Sequence, residues 1–206
     1  MQNIAKVILD NGLEVIGLQE VDKNTERAPF DVLQKLKDAT GYYGAYFKAM
    51  DHLGGEYGDA ILSKYEIVET KSWILEAPDG GEPRALGLAV INVNGVKINF
   101  FVTHLCHVSD ANRKAQLQQI AAILSEYDNY VLTGDFNTDN FSLFSEIEGS
   151  KMVNNESFSI VTFPNNYYSI DNIVYSPESW RFGLPHTIKE SYSDHYALYA
   201  TGVFMK

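Results

Sequence analysis

At 206 residues with 45% hydrophobic content, the chain is long enough for one well-cored domain and short for two. Its net charge of −11, from 16 Lys and Arg against 27 Asp and Glu, gives no strong duplex DNA-binding signature, because gripping long nucleic acid takes a basic stripe. A single cysteine, Cys106, excludes an intramolecular disulfide framework and suits a reducing compartment. The longest apolar runs, such as residues 85–91, are too short for a transmembrane segment, and residues 1–6 lack the parts of a secretory signal. A cytoplasmic location is expected, although a chain whose leader had been removed would read the same.

Ile4, Val7 and Ile8 recur at helical spacing and predict a helix over 4–9 that Gly12 ends. Residues 14–18 read as a short buried strand running into Gln19 and Glu20. Phe30, Leu33 and Leu36 predict a second helix closed by Gly41. Strands follow over 43–47, 59–63 and 67–73. Gly54, Gly55 and Gly58 around Tyr57 read as a flexible loop, and with no Gly-Lys-Ser/Thr behind them they form no phosphate loop. Asn94-Gly95 suits a type I′ turn and joins strands over 87–93 and 96–103 into a hairpin. A helix over 112–127 carries Leu117, Ile120, Ala121 and Leu124 on one face. A strand over 130–133 then runs into Gly134-Asp135-Phe136-Asn137, and strands over 170–175 and 196–203 complete the set. The 13 Tyr and 11 Phe suit packed sheets. The predicted fold class is α+β, with two packed mixed or antiparallel β-sheets flanked by helices, in one domain over 1–206.

Polar residues recur where apolar strands end: Glu20, His104, Asp135, Asp171, Asp194 and His195. A partly buried carboxylate is costly unless a cation or hydrogen-bond donors compensate it. Four acids and two histidines could compensate one another by converging around a hard cation, and Glu and Asp oxygens suit magnesium. Taken singly, each has an ordinary role. Glu20 reads as a loop acid, Asp135 with Asn137 as an Asx turn, and His104 as a core histidine. Asp171 reads as a salt-bridge partner, Asp194 as a turn former and His195 as a surface residue. His104-Leu105-Cys106-His107 matches no strong zinc motif, and Cys106 reads as a buried thiol continuing a strand.

The ordered set changes that weighing. Leu18-Gln19-Glu20, Gly58-Asp59-Ala60-Ile61-Leu62-Ser63, Thr103-His104-Leu105, Gly134-Asp135-Phe136-Asn137, Ile170-Asp171-Asn172-Ile173 and Ser193-Asp194-His195 span nearly the whole chain. In this order they resemble the endonuclease/exonuclease/phosphatase superfamily, the DNase I-like metal phosphoesterases. The resemblance implies a four-layer α/β/β/α sandwich and a Mg2+-dependent phosphoester hydrolase, with Mn2+ as a substitute. It implies Glu20 as the principal metal ligand and Asp194 beside the metal. Asp135 would orient or deprotonate the attacking water while Asn137 holds a neighbouring oxygen. His195 would bond a non-bridging phosphate oxygen, with Asp171 fixing its tautomer. His104 would contact the phosphate from the opposite side or assist the leaving oxygen.

Arg84 and Arg27 resemble basic residues near the family's substrate, although Arg27 also reads as a solvated surface arginine. Arg113 and Gln116 fit the family's pattern on the long helix, where structural pairing is the better reading. The implied substrate is phosphorylated: a small molecule, a lipid head group or a nucleic acid. Family members begin with a strand carrying an Asn in a Trp-Asn or Tyr-Asn pair, whereas here Met1 falls almost at the first helix. A fold lacking that first strand is expected, and with it comes a second reading: a catalytically weak module that binds a phosphorylated ligand.

Overall fold

The computed structural model describes residues 1–205. They divide into two compact units, Met1–Ile74 with Pro83–His104, and Leu75–Glu82 with the described part of Leu105–Lys206.

The first unit begins with α1 (Gln2–Asp10), where the predicted helix falls, and Gly12 follows it at φ +61°. Next come β1 (Val15–Lys23) and α2 (Val32–Thr40). The Asp31 carboxylate caps α2 by accepting from the Gln34 amide at 2.9 Å, and Gly41 ends it in the left-handed conformation. β2 (Tyr43–His52), β3 (Gly55–Ser63), β4 (Glu66–Leu75), β5 (Arg84–Val93) and β6 (Val96–His104) follow. β1, β3 and β2 form an antiparallel sheet with β3 in the middle, and β4, β5 and β6 lie side by side in that order. Asn94 and Gly95 both take positive φ, 52° and 90°, with Val93 paired to Val96, as a type I′ turn requires.

Ala5, Ile8, Leu33 and Leu36 of the helices pack with Val21, Ala60 and Leu62 on one face of the three-stranded sheet. Side chains alternate along a strand, so Ile61 points the other way, where β2 and β3 pack on β5. Phe47 fills that layer against Gly87, and a Cβ on Gly87 would lie 2.1 Å from its ring. The expected flexible glycine loop is not present. Gly55 and Gly58 belong to β3, where a Cβ would lie 2.4 Å from the Asn24 carbonyl and 2.1 Å from the Phe47 carbonyl. These glycines serve close backbone approach rather than mobility.

In the second unit, Ser109 caps α3 (Asp110–Leu124) through the Asn112 amide, and Leu117, Ile120 and Leu124 are buried. Then come β7 (Val131–Asp135), a 3-10 helix (Phe141–Glu146), β8 (Lys151–Met152) and β9 (Asp171–Tyr175). β9 pairs antiparallel with both β7 and β8. β10 (Trp180–Phe182), β11 (His186–Ile188), β12 (Ala197–Tyr199) and β13 (Gly202–Phe204) make two small ribbons, β10 with β13 and β11 with β12. The single strand expected over 196–203 is therefore two. Pairing changes partner around Thr201, whose carbonyl accepts from the Gly183 amide.

Cys106 is fully buried as expected, but it lies beyond the end of β6. Its amide donates to Gln116 Oε1 at 2.8 Å instead of to a ladder. Gln116 Nε2 also donates to the Leu75 carbonyl, and Arg113 binds Asp110 and the Cys106 carbonyl, so both helix residues are structural. The architecture is α+β, with two packed, open sheets flanked by helices. No helix among the described residues is long and apolar enough to cross a membrane.

Candidate active site

The second unit brings together four of the residues singled out in the sequence. Asp135 ends β7 and Asp171 begins β9, and the antiparallel register sets them directly opposite each other. Facing carboxylates repel, so this pairing needs a compensating charge. His195 supplies it. Its Nδ1 lies 2.8 Å from Asp171 Oδ2 and its Nε2 lies 3.8 Å from Asp135 Oδ2. Burial of the ring opposes its charged form, but the hydrogen bond to Asp171 and the charges of Asp171, Asp135 and Asp194 outweigh burial and raise its pKa to about 9. At neutral pH the ring is an imidazolium held between two carboxylates.

Asn137 follows in the left-handed conformation, φ +51°. Its amide donates to Asp135 Oδ1 at 2.8 Å, and its Nδ2 donates to the Leu105 carbonyl at 2.9 Å. The Asx turn that residue types alone suggested is real, and it fixes the Asp135 carboxylate beside His195.

The first unit gathers a second set. Between Leu18 and Val21 the pairing of β1 with β3 slips by a bulge, and there Glu20 takes φ +56° and points its carboxylate to solvent. The Tyr57 hydroxyl hydrogen-bonds both Glu20 and Arg84, and burial together with the Glu20 charge pushes the phenol pKa up, keeping it a neutral donor. The Arg84 guanidinium is buried, with Nη1 3.2 Å from His104 Nδ1. Because arginine only donates, His104 Nδ1 must accept, which leaves the ring proton on Nε2. The two histidines thus differ in kind: His195 is a cation between acids, and His104 is a neutral imidazole backed by a cation. Arg27 stacks over the Tyr57 ring at 5.6 Å and donates to Asp22 Oδ2 at 2.7 Å, with its side chain 47% exposed. It is neither a purely solvated arginine nor a direct partner of His104.

Asp194 is exposed and accepts from the Ser193 hydroxyl at 3.4 Å, contributing to His195 through its charge. Asp135, Asp171 and His195 place one ligand atom each within 4.8 Å of the others. Carboxylate oxygens and an imidazole nitrogen at that spacing could hold a metal ion. Glu20 in the first unit and Asp194 in the second each carry an exposed carboxylate of the hard type that magnesium takes. Sequence reasoning missed Tyr57, hidden within a strand beside glycines, and Thr162, an isolated residue outside every strand whose hydroxyl accepts from the Asp171 amide.

The chain belongs to the endonuclease/exonuclease/phosphatase family, whose sequence profile matches residues 1–195 and so runs through both units. Endonucleases, exonucleases and phosphatases all break phosphoester bonds, so the chain's class is that of the phosphoesterases. The chain resembles the mannosyl-6-phosphatase of Bacteroides thetaiotaomicron, with 19% identity and a TM-score of 0.79 over 98% of this chain and 90% of that one. It also resembles the catalytic domain of human Nocturnin with bound sulfate, with 19% identity and a TM-score of 0.74 over 99% of this chain and 86% of that one. Protein cwh43 of Schizosaccharomyces pombe is 31% identical over 125 residues, 60% of this chain. The match spans only 13% of the length of that relative.

Proposed function

We infer that residues 1–206 act as one domain hydrolysing a phosphoester by attack of water on phosphorus, with a divalent ion, Mg2+ or in its place Mn2+, as cofactor. The observation that supports this reading is the His195 ring set between Asp171 and Asp135, with Nδ1 2.8 Å from one carboxylate and Nε2 3.8 Å from the other. Glu20 would hold the ion, with Asp194 taking part directly or through a water. When bound, the ion supplies positive charge to the phosphoryl oxygens.

The other roles belong to the chain's own side chains. The Asp135 carboxylate, fixed through Oδ1 by the Asn137 amide, accepts a proton from the attacking water. Nε2–H of His195 donates to a non-bridging oxygen as charge builds there, while Asp171 holds the ring from Nδ1. His104 donates to the phosphate from Nε2, backed by Arg84, and Arg84 and Arg27 add positive charge on the substrate side. Asn137 would hold a neighbouring oxygen, and its amide fixes the Asp135 carboxylate. The acidic balance of the chain favours a small phosphorylated substrate over long duplex DNA. A sugar phosphate leads the candidates, supported by the mannosyl-6-phosphatase likeness.

The test is hydrolysis of p-nitrophenyl phosphate, bis-p-nitrophenyl phosphate and a panel of sugar phosphates, with magnesium, manganese or EDTA. Turnover that requires a divalent ion and falls roughly 10²-fold or more in both Asp135→Asn and His195→Ala is expected. Unchanged turnover in both variants would end these assignments. Binding of a phosphorylated ligand without turnover would favour the weak binding module.

A further inference from the structure

A buried residue, Thr162, links the loop that carries His195 to β9. Thr162 has no exposed surface and belongs to no strand, yet it bonds on both sides of the dyad. Its Oγ1 accepts from the Asp171 amide at 3.1 Å. Its carbonyl accepts from the Tyr196 amide at 2.7 Å, one residue beyond His195. Its own amide donates to the Tyr168 carbonyl at 3.0 Å, and the next residue, Phe163, sets its ring 4.8 Å from the His195 imidazole.

The other bonds to the two partners do not join them. The Asp171 carbonyl accepts from Asn154 Nδ2, which ties β9 to the segment after β8. The His195 amide donates to Ser193 Oγ, a bond within its own loop. A 2.8 Å contact between side chains 24 residues apart depends on how their backbones are spaced. Thr162 bears on that spacing from both sides, hydroxyl to one partner and carbonyl to the neighbour of the other. Isolated buried hydroxyls commonly just satisfy an amide, but this one satisfies the amide of the residue that orients His195.

We propose that Thr162 is a positioning residue that sets the Asp171–His195 hydrogen bond. Its effect on turnover rests on the phosphoesterase reading, whereas its effect on the dyad does not. Thr162→Val keeps the shape and the backbone bonds but removes the acceptor, and Thr162→Ser keeps the acceptor. Two readouts separate positioning from simple structural support. One is kcat and KM on p-nitrophenyl phosphate with magnesium. The other is the low-field proton resonance of His195 Nδ1–H, assigned by its loss in His195→Ala.

In Thr162→Val, kcat is expected to fall ~10-fold or more with KM held within ~2-fold, and the resonance to shift or broaden. Thr162→Ser is expected to restore both. A Val protein with wild-type kcat and an unmoved resonance overturns the proposal, as does a Ser protein indistinguishable from Val. Should the Val protein not fold, Thr162→Cys offers a weaker acceptor of similar size. Intermediate values there support the role, and wild-type values overturn it. If wild-type protein hydrolyses none of the esters tried under "Proposed function", the phosphoesterase reading fails, while the resonance still decides the role of Thr162.

Discussion

Raising the pH of the protein in EDTA tests the dyad without any substrate. His195 ordinarily titrates near 6.5; burial of its ring opposes the charge, but Asp171, Asp135 and Asp194 together raise the value to about 9. Its side chain is only 24% exposed, so solvent screens these interactions incompletely. A rise of that size corresponds to at most about 3 kcal/mol of folded-state preference for the imidazolium. Because the folded value lies above the unfolded one, this stabilisation is complete below about pH 6.5 and is lost as the pH climbs through about 9. Urea unfolding of wild type and His195→Gln at intervals between pH 6 and pH 10 isolates the contribution, since other titrating groups are common to both. The stability gap between them should narrow by about 2–3 kcal/mol across that range. A gap that stays flat would refute an imidazolium clamped between Asp171 and Asp135.

Three other changes probe the remaining parts of the molecule. Glu20→Gln should weaken Mn2+ binding roughly 10- to 100-fold by isothermal titration, and unchanged affinity would remove Glu20 from the metal's ligands. Arg84→Lys replaces the guanidinium that joins Tyr57 to His104 with a point charge. It should lower kcat/KM about 10-fold with unchanged circular dichroism, and a neutral result would show that the guanidinium is dispensable there. Gly87→Ala forces a methyl group into the Phe47 ring and should cost about 1–3 kcal/mol in urea unfolding, partly recovered in the double variant with Phe47→Leu. Equal stability of wild type and the single variant would mean that the inter-sheet layer is looser than the contact implies.

Long apolar runs and their punctuation made most of the fold legible. The Asn94-Gly95 hairpin, the Gly41 stop and the Leu117–Ile120–Leu124 face each rest on local chemistry, and each stands in the structure where it was predicted. β8, β10 and β11 are two or three residues long, too short to leave a periodic trace. Residues 196–203 read as one strand because alternation cannot reveal a change of partner. The glycines around Tyr57 misled for a related reason: glycine that permits motion and glycine that permits contact are spelled alike. In the site, Asp135, Asn137, Asp171 and His195 were legible as types that end strands. The opposite states of His104 and His195 were not, because each depends on a neighbour distant in the sequence, Arg84 for one and Asp171 for the other.

Glu20 and Asn137 both sit at positive φ, a conformation in which glycine is the comfortable occupant and a glutamate is not. A library screened for heat tolerance alone would therefore enrich glycine at both positions and, under the roles proposed for Glu20 and Asn137, the enriched clones would be sturdier but chemically poorer. The reverse holds across evolution: a descendant relieved of its chemistry should shed the glutamate at the β1 bulge early, leaving a record of lost function in its backbone.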